Sequence, residues 1–80
     1  MSKEDIKMQM ILHKKGFKIK SRYPLGTVCV KDDYMVFYSD AFHKWCFADL
    51  TIPIGYLPTV FSCGEIGEMV AELQRRGIIT

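Results

Sequence analysis

The sequence has no apolar run long enough to cross a bilayer, which takes roughly 18–20 residues in a helix. Its longest charge-free stretch, Leu50 to Gly64, covers fifteen positions and is interrupted by Pro53 and Pro58. The opening Met1-Ser2-Lys3-Glu4-Asp5 has no apolar region, so no secretory leader is expected. Cysteine is sparse. Cys29, Cys46 and Cys63 are an odd set with no Cys-x-x-Cys pair, which argues against a disulfide framework and for a reducing, cytoplasmic setting. Neither sign of charge dominates: 11 basic side chains face 9 acidic ones, a net +2 too small to imply a polyanionic partner by itself. Glycine-rich phosphate loops, a Gly-x-Ser-x-Gly elbow and paired carboxylate motifs are missing, so no catalytic residue is assigned and no cofactor is expected. His43-x-x-Cys46 supplies two of the four ligands a zinc ion needs. The other thiols stand seventeen positions away on either side, so no metal site is expected.

What is present is ordinary globular material. The chain is 49% hydrophobic, 25% charged and 12% aromatic over 80 residues, enough for one domain spanning residues 1–80 and incompatible with disorder. Charge is unevenly placed. Residues 1–31 carry eight basic side chains against Glu4 and Asp5, whereas residues 32–80 carry three against seven acids.

Two helices are expected, one at each end. Ile66, Met69, Val70 and Leu73 recur at the i, i+3, i+4, i+7 spacing of one apolar stripe. Ser62 and Glu65 have the spacing of a capping box, Phe61 and Ile66 that of a hydrophobic staple, and Gly77 is a left-handed stop after Arg75 and Arg76. These signals predict a helix from about Cys63 to Arg76. Leu12-His13-Lys14-Lys15-Gly16-Phe17 repeats the ending of that helix role for role, with Ser2 as the N-cap of the first helix. Shared helix-ending chemistry explains the echo without an internal duplication. The first helix is the less amphipathic: Ile6 and Met10 lie on one side, and Met8, Ile11 and Leu12 spread over the other, a pattern found where a helix packs on two neighbours.

Between the helices the period changes to two. Phe17, Ile19, Ser21 and Tyr23 alternate with Lys18, Lys20 and Arg22, predicting a half-buried strand with a basic outer face. Pro24-Leu25-Gly26 is a turn, Thr27 to Lys31 a second strand, Asp32-Asp33 a tight turn and Tyr34 to Ser39 a third strand. Lys44 to Asp49 supplies a fourth, and Leu50 to Thr59 reads as an extended connection to the last helix. The expected fold is α+β, in the order α-β-β-β(-β)-α, an antiparallel meander with both helices on one face.

Four places can carry function. Lys14, Lys15, Lys18, Lys20 and Arg22 form a basic stripe that can contact phosphates, or that merely guards an edge strand against aggregation. Six of the ten aromatics fall between Tyr34 and Phe47. Alternation places Tyr34, Val36 and Tyr38 on one side of the third strand and Met35 and Phe37 on the other, so the sheet is either covered twice or offers one face to a partner. The uncharged loop around Ile52 to Pro58 is either folded back on the sheet or covered by another protein. Cys63, expected in the first turn of the last helix, would have its thiol pKa lowered there. The leading expectation is a cytoplasmic protein-interaction module — inhibitor, adaptor or phage-type regulator — with Tyr34, Tyr38, Trp45 and Tyr56 as anchors and a protein partner that includes a second copy as one variant. Nucleic-acid binding by the basic stripe is the alternative, a cysteine-dependent enzyme is a distant third, and no membrane partner is expected.

The helix–strands–helix order resembles that of double-stranded-RNA-binding domains. Leu12-His13-Lys14-Lys15-Gly16-Phe17-Lys18-Ile19 and Leu50-Thr51-Ile52-Pro53 resemble stretches of HicA-type toxin mRNA interferases, which use that layout. That family carries a histidine within a Gly-Ser-His strand motif. The corresponding region here, Arg22 to Val28, has none, so the resemblance implies a layout and transfers no catalytic residue.

Overall fold

The computed structural model describes residues 3–22, 26–53 and 58–80. In chain order the elements are α1 (Lys3–Lys14), β1 (Lys18–Arg22), β2 (Gly26–Lys31), β3 (Tyr34–Ser39), β4 (Lys44–Asp49), β5 (Thr59–Cys63) and α2 (Ile66–Arg75). The strands form one antiparallel sheet in sequence order, β1-β2-β3-β4-β5, and both helices lie on the same face of it. The α+β meander expected from the sequence is the fold observed, with one strand more.

That fifth strand comes from the segment given above to a connection and a cap. Phe61 pairs with Phe47, and Cys63 with Trp45. Two cross-strand aromatic and thiol contacts with backbone pairing outweigh the local capping box, because a cap contributes only about 1 kcal/mol. Ser62 therefore stays in β5, and α2 starts at Ile66 rather than at Cys63. Its N-cap is Glu65, extended at φ −121° and ψ 141°, with no side-chain cap hydrogen bond. A bulge at Val60 shifts the register, so that Phe47 opposes Phe61 and Ala48 opposes Thr59.

The two helix endings form as the sequence predicts. At α2 the Ile78 amide donates to the Leu73 carbonyl (3.0 Å) and the Gly77 amide to that of Gln74 (3.0 Å), with Gly77 at φ +75°. At α1 the Phe17 amide donates to Leu12 (2.9 Å) and the Gly16 amide to His13 (3.2 Å), with Gly16 at φ +99°. This paired pattern around a left-handed glycine is a Schellman motif, and it returns Phe17 and Ile79 to the core, where they are 1% and 5% exposed. The Ser2 cap lies outside the described residues.

Register divides the sheet into two faces. Cys29, Val36 and Phe47 share a row under the helices, flanked by Tyr34, Tyr38, Trp45 and Cys63, and meet Met8 and Leu12 of α1 and Met69 and Leu73 of α2. Val28, Met35, Phe37, Cys46 and Ala48 form a second cluster on the opposite face. Met35 and Ala48 are fully buried there and Phe37 is 5% exposed. Both faces of the sheet are thus sealed at their centres.

Candidate functional site

The aromatic anchors expected on an open sheet face lie instead beneath the helices. Trp45 is 5% exposed, and Tyr38 meets it edge-on with ring centroids 5.1 Å apart. Tyr34 stacks on Phe47 at 5.7 Å, and the Arg76 guanidinium sits 5.1 Å from the centre of the same Phe47 ring. These rings serve the molecule's own core, because an 80-residue chain has little other apolar surface from which to build one. Tyr56 and the middle of its loop lie outside the described residues. The ends of that loop are tied by the Asp49 amide to the Pro58 carbonyl (3.1 Å) and by the Leu50 amide to that of Asp33 (2.7 Å). The Asp49 carboxylate accepts from the Thr51 amide and hydroxyl, which hold it below the ordinary aspartate range.

The side chains of the basic stripe lie in different surroundings. The Lys15 ammonium donates to the Thr80 carbonyl (3.0 Å), and Lys31 joins the same corner by donating to the Ile78 carbonyl (2.7 Å). These two lysines fasten the α1–β1 junction to the C-terminal residues. Lys18 and Lys20 are exposed on the sheet face opposite the helices, and among the described residues neither ammonium is engaged with a carboxylate. Lys14 is exposed in the last turn of α1. Arg22 ends β1 opposite Gly26.

The three thiols are free and buried. Cys63 belongs to β5, and burial pushes its pKa up, the reverse of the helix-dipole effect anticipated for it. Its thiol donates to the Glu65 carbonyl at 3.2 Å. Burial also raises Cys46, and carries Cys29 up to about 11. Among the described residues no cluster of three or more His, Cys, Asp or Glu side chains is arranged to hold a metal, and no helix is long and apolar enough to cross a membrane.

The surface that stands out is at the outer side of α1. Met8 and Leu12, one turn apart, point into the core with no exposure. Ile6 and Met10, also one turn apart, are 47% and 57% exposed, and Ile19 of the neighbouring β1 is 41% exposed. Two hollows flank this Ile6–Met10 ridge. One, of about 330 Å³, is bounded by Lys3, Lys7, Ile11 and Lys14, and the other, of about 260 Å³, by Gln9, His13 and Ile19. Half of the large hydrophobic side chains that the chain exposes among its described residues gather here. No protein family, curated protein or solved structure matches this chain.

An exposed aromatic ring stands apart from this patch. Phe42, 76% exposed, occupies the tip of the β3–β4 turn, where its amide meets the Ser39 hydroxyl at 3.4 Å and His43 takes a left-handed φ of 55°. It borders a cleft of about 580 Å³ with Phe37, Lys44 and Cys46. The anchor assignment from sequence passed over Phe42. Its signal was legible in Asp40-Ala41-Phe42-His43: an aromatic in a short polar turn between paired strands has no layer above it to enter.

Proposed function

We propose that this chain is a small protein-interaction module, and that its contact surface is the outer side of α1 with the adjoining edge of β1. The observation that carries this reading is the Ile6–Met10–Ile19 patch. Single exposed hydrophobics are common on any surface, whereas three contiguous ones beside a helix ridge are the feature of a surface that becomes covered. The helix has apolar residues on two sides, and the fold uses only one of them.

The test is affinity capture from the native host with the parent chain and with an Ile6→Ser/Met10→Ser variant. Both positions are exposed, so the variant is expected to keep the parent's circular dichroism spectrum and melting temperature while losing the captured protein. A variant that folds normally and captures the same protein in the same amount refutes this surface. The exposure of Lys18 and Lys20 favours a second reading, nucleic-acid binding along β1. It requires association with RNA or DNA that weakens steeply with added salt and disappears in a Lys18→Gln/Lys20→Gln variant. Salt-insensitive or absent association eliminates it.

A further inference from the structure

Resting on the protein-interaction reading, we infer that the occupant of the α1 surface is an acidic amphipathic helix of another protein. Shape argues for a helix. Ile6 and Met10 are related by i, i+4 and so form one of the ridges that run obliquely along a helix surface. A hollow lies on each side of that ridge. Ridge and flanking hollows are what one helix offers another in ridges-into-grooves packing, where the partner's own i, i+4 rows enter the two depressions.

Charge argues for acidity. At 3.6 residues per turn, Ile6 and Met10 share their side of α1 with Lys3, Lys7, Gln9, His13 and Lys14. Glu4 and Asp5, the helix's two acids, lie off this side: Glu4 borders the groove facing α2, with Glu65 and the inner flank of Lys3 and Lys7, and Asp5 a depression floored by Cys29 and Val36. The two hollows beside the exposed ridge are therefore lined by lysines, a glutamine, a histidine and apolar side chains, with no carboxylate among them. A partner with Leu-type residues in the hollows and Glu or Asp beside them satisfies both features.

The same charges weigh against the other occupants. A second copy docked about a two-fold axis would set Lys3, Lys7 and Lys14 against their own counterparts. A nucleic acid would leave Ile6, Met10 and Ile19 covered by phosphate and sugar, with no aromatic in the patch on which a base can stack. An anionic membrane would meet only two apolar side chains on a three-turn helix, too little for an interfacial anchor.

Selection from a displayed library of random peptides about four helical turns long tests the inference directly. The intact chain is the bait, and the Ile6→Ser/Met10→Ser variant is the counter-selection. Enriched sequences are expected to carry apolar residues at i, i+3, i+4 and i+7, a net negative charge, and helical circular dichroism when bound. A synthetic peptide of the enriched sequence should bind the Ile6→Ser/Met10→Ser variant at least about 30-fold more weakly, and a Lys3→Glu/Lys7→Glu/Lys14→Glu variant about tenfold more weakly at low salt. Ile6→Leu/Met10→Leu should restore binding. Enriched peptides that are basic, neutral or extended overturn the inference, as does a selection with no sequence that distinguishes bait from counter-bait. So does preferential binding to phosphatidylserine vesicles or a single-stranded RNA, or an α1-dependent dimer in sedimentation equilibrium. If host capture still depends on Ile6 and Met10 while the selection yields no acidic helix, the surface stands and the partner class falls. If neither depends on them, both fall.

Discussion

The two helices of this chain have the same ending and opposite accounts of their apolar residues. Each closes on a left-handed glycine, Gly16 or Gly77, and each sends the following chain back into the core. In α2, Met69 and Leu73 are fully buried and Ile66 and Val70, half-buried, pack against the same cluster, so the stripe faces the core along its length. In α1, Met8 and Leu12 are absorbed and Ile6 and Met10 are not. What differs is the number of apolar sides, and the sheet can cover only one. Apolar pattern beyond what the fold consumes is left exposed on α1, and the contact proposed above rests on it.

The largest effect expected of this comparison is also the one that would break it. Leu12→Ala in α1 and Leu73→Ala in α2 should each cost about 2–5 kcal/mol in denaturant unfolding, since both side chains are fully buried in one cluster. A much smaller loss at Leu12 would mean that α1 is not docked as firmly as α2. Next come the glycines. Gly16→Ala and Gly77→Ala should each cost about 1–2 kcal/mol, because alanine is strained at positive φ. The added methyl at Gly16 meets the Lys31 side chain only at 3.5 Å, an ordinary contact, so strain rather than crowding sets the loss there. Equal losses at the two sites would establish that the endings are equivalent.

The smallest effect concerns charge, which sharpens the contrast. Glu72 on α2 accepts from Arg75 and Arg76, and these bonds hold its carboxyl below the ordinary glutamate range. A lowered folded pKa adds stability that is present above the unfolded value and is lost as pH falls through the lowered one. Glu72→Gln should therefore be less stable than the parent at neutral pH, with the difference closing as the pH of thermal melts is lowered through the acid range. The lysines on the outer side of α1 have no such carboxylate partner on their own helix.

Local grammar was legible and long-range competition was not. Both Schellman endings, the Asp32-Asp33 turn and the alternation that separates Tyr34, Val36 and Tyr38 from Met35 and Phe37 depend on neighbours in sequence, and all appear as read. The capping box failed because Ser62 had a competing use in β5, and the winner was decided by β4, sixteen residues upstream across the sheet. Tyr34, Tyr38 and Trp45 do share one face, and it is the face beneath the helices. Alternation states which residues share a face and is silent on which face the helices choose. Ile6 and Met10 were visible as the odd side of α1, yet that a second neighbour is missing could not be read from the helix alone.

By itself the sequence determined where elements stop, which residues alternate together and how each helix ends, since these follow from backbone dihedrals and side-chain period within a few residues. Only the tertiary structure decided that Thr59–Cys63 pairs as a strand, that the aromatic row lies under the helices, and that one side of α1 is left over. Those outcomes are set by which buried contacts between distant segments are worth more than the local alternative, and that comparison exists only once the chain is folded.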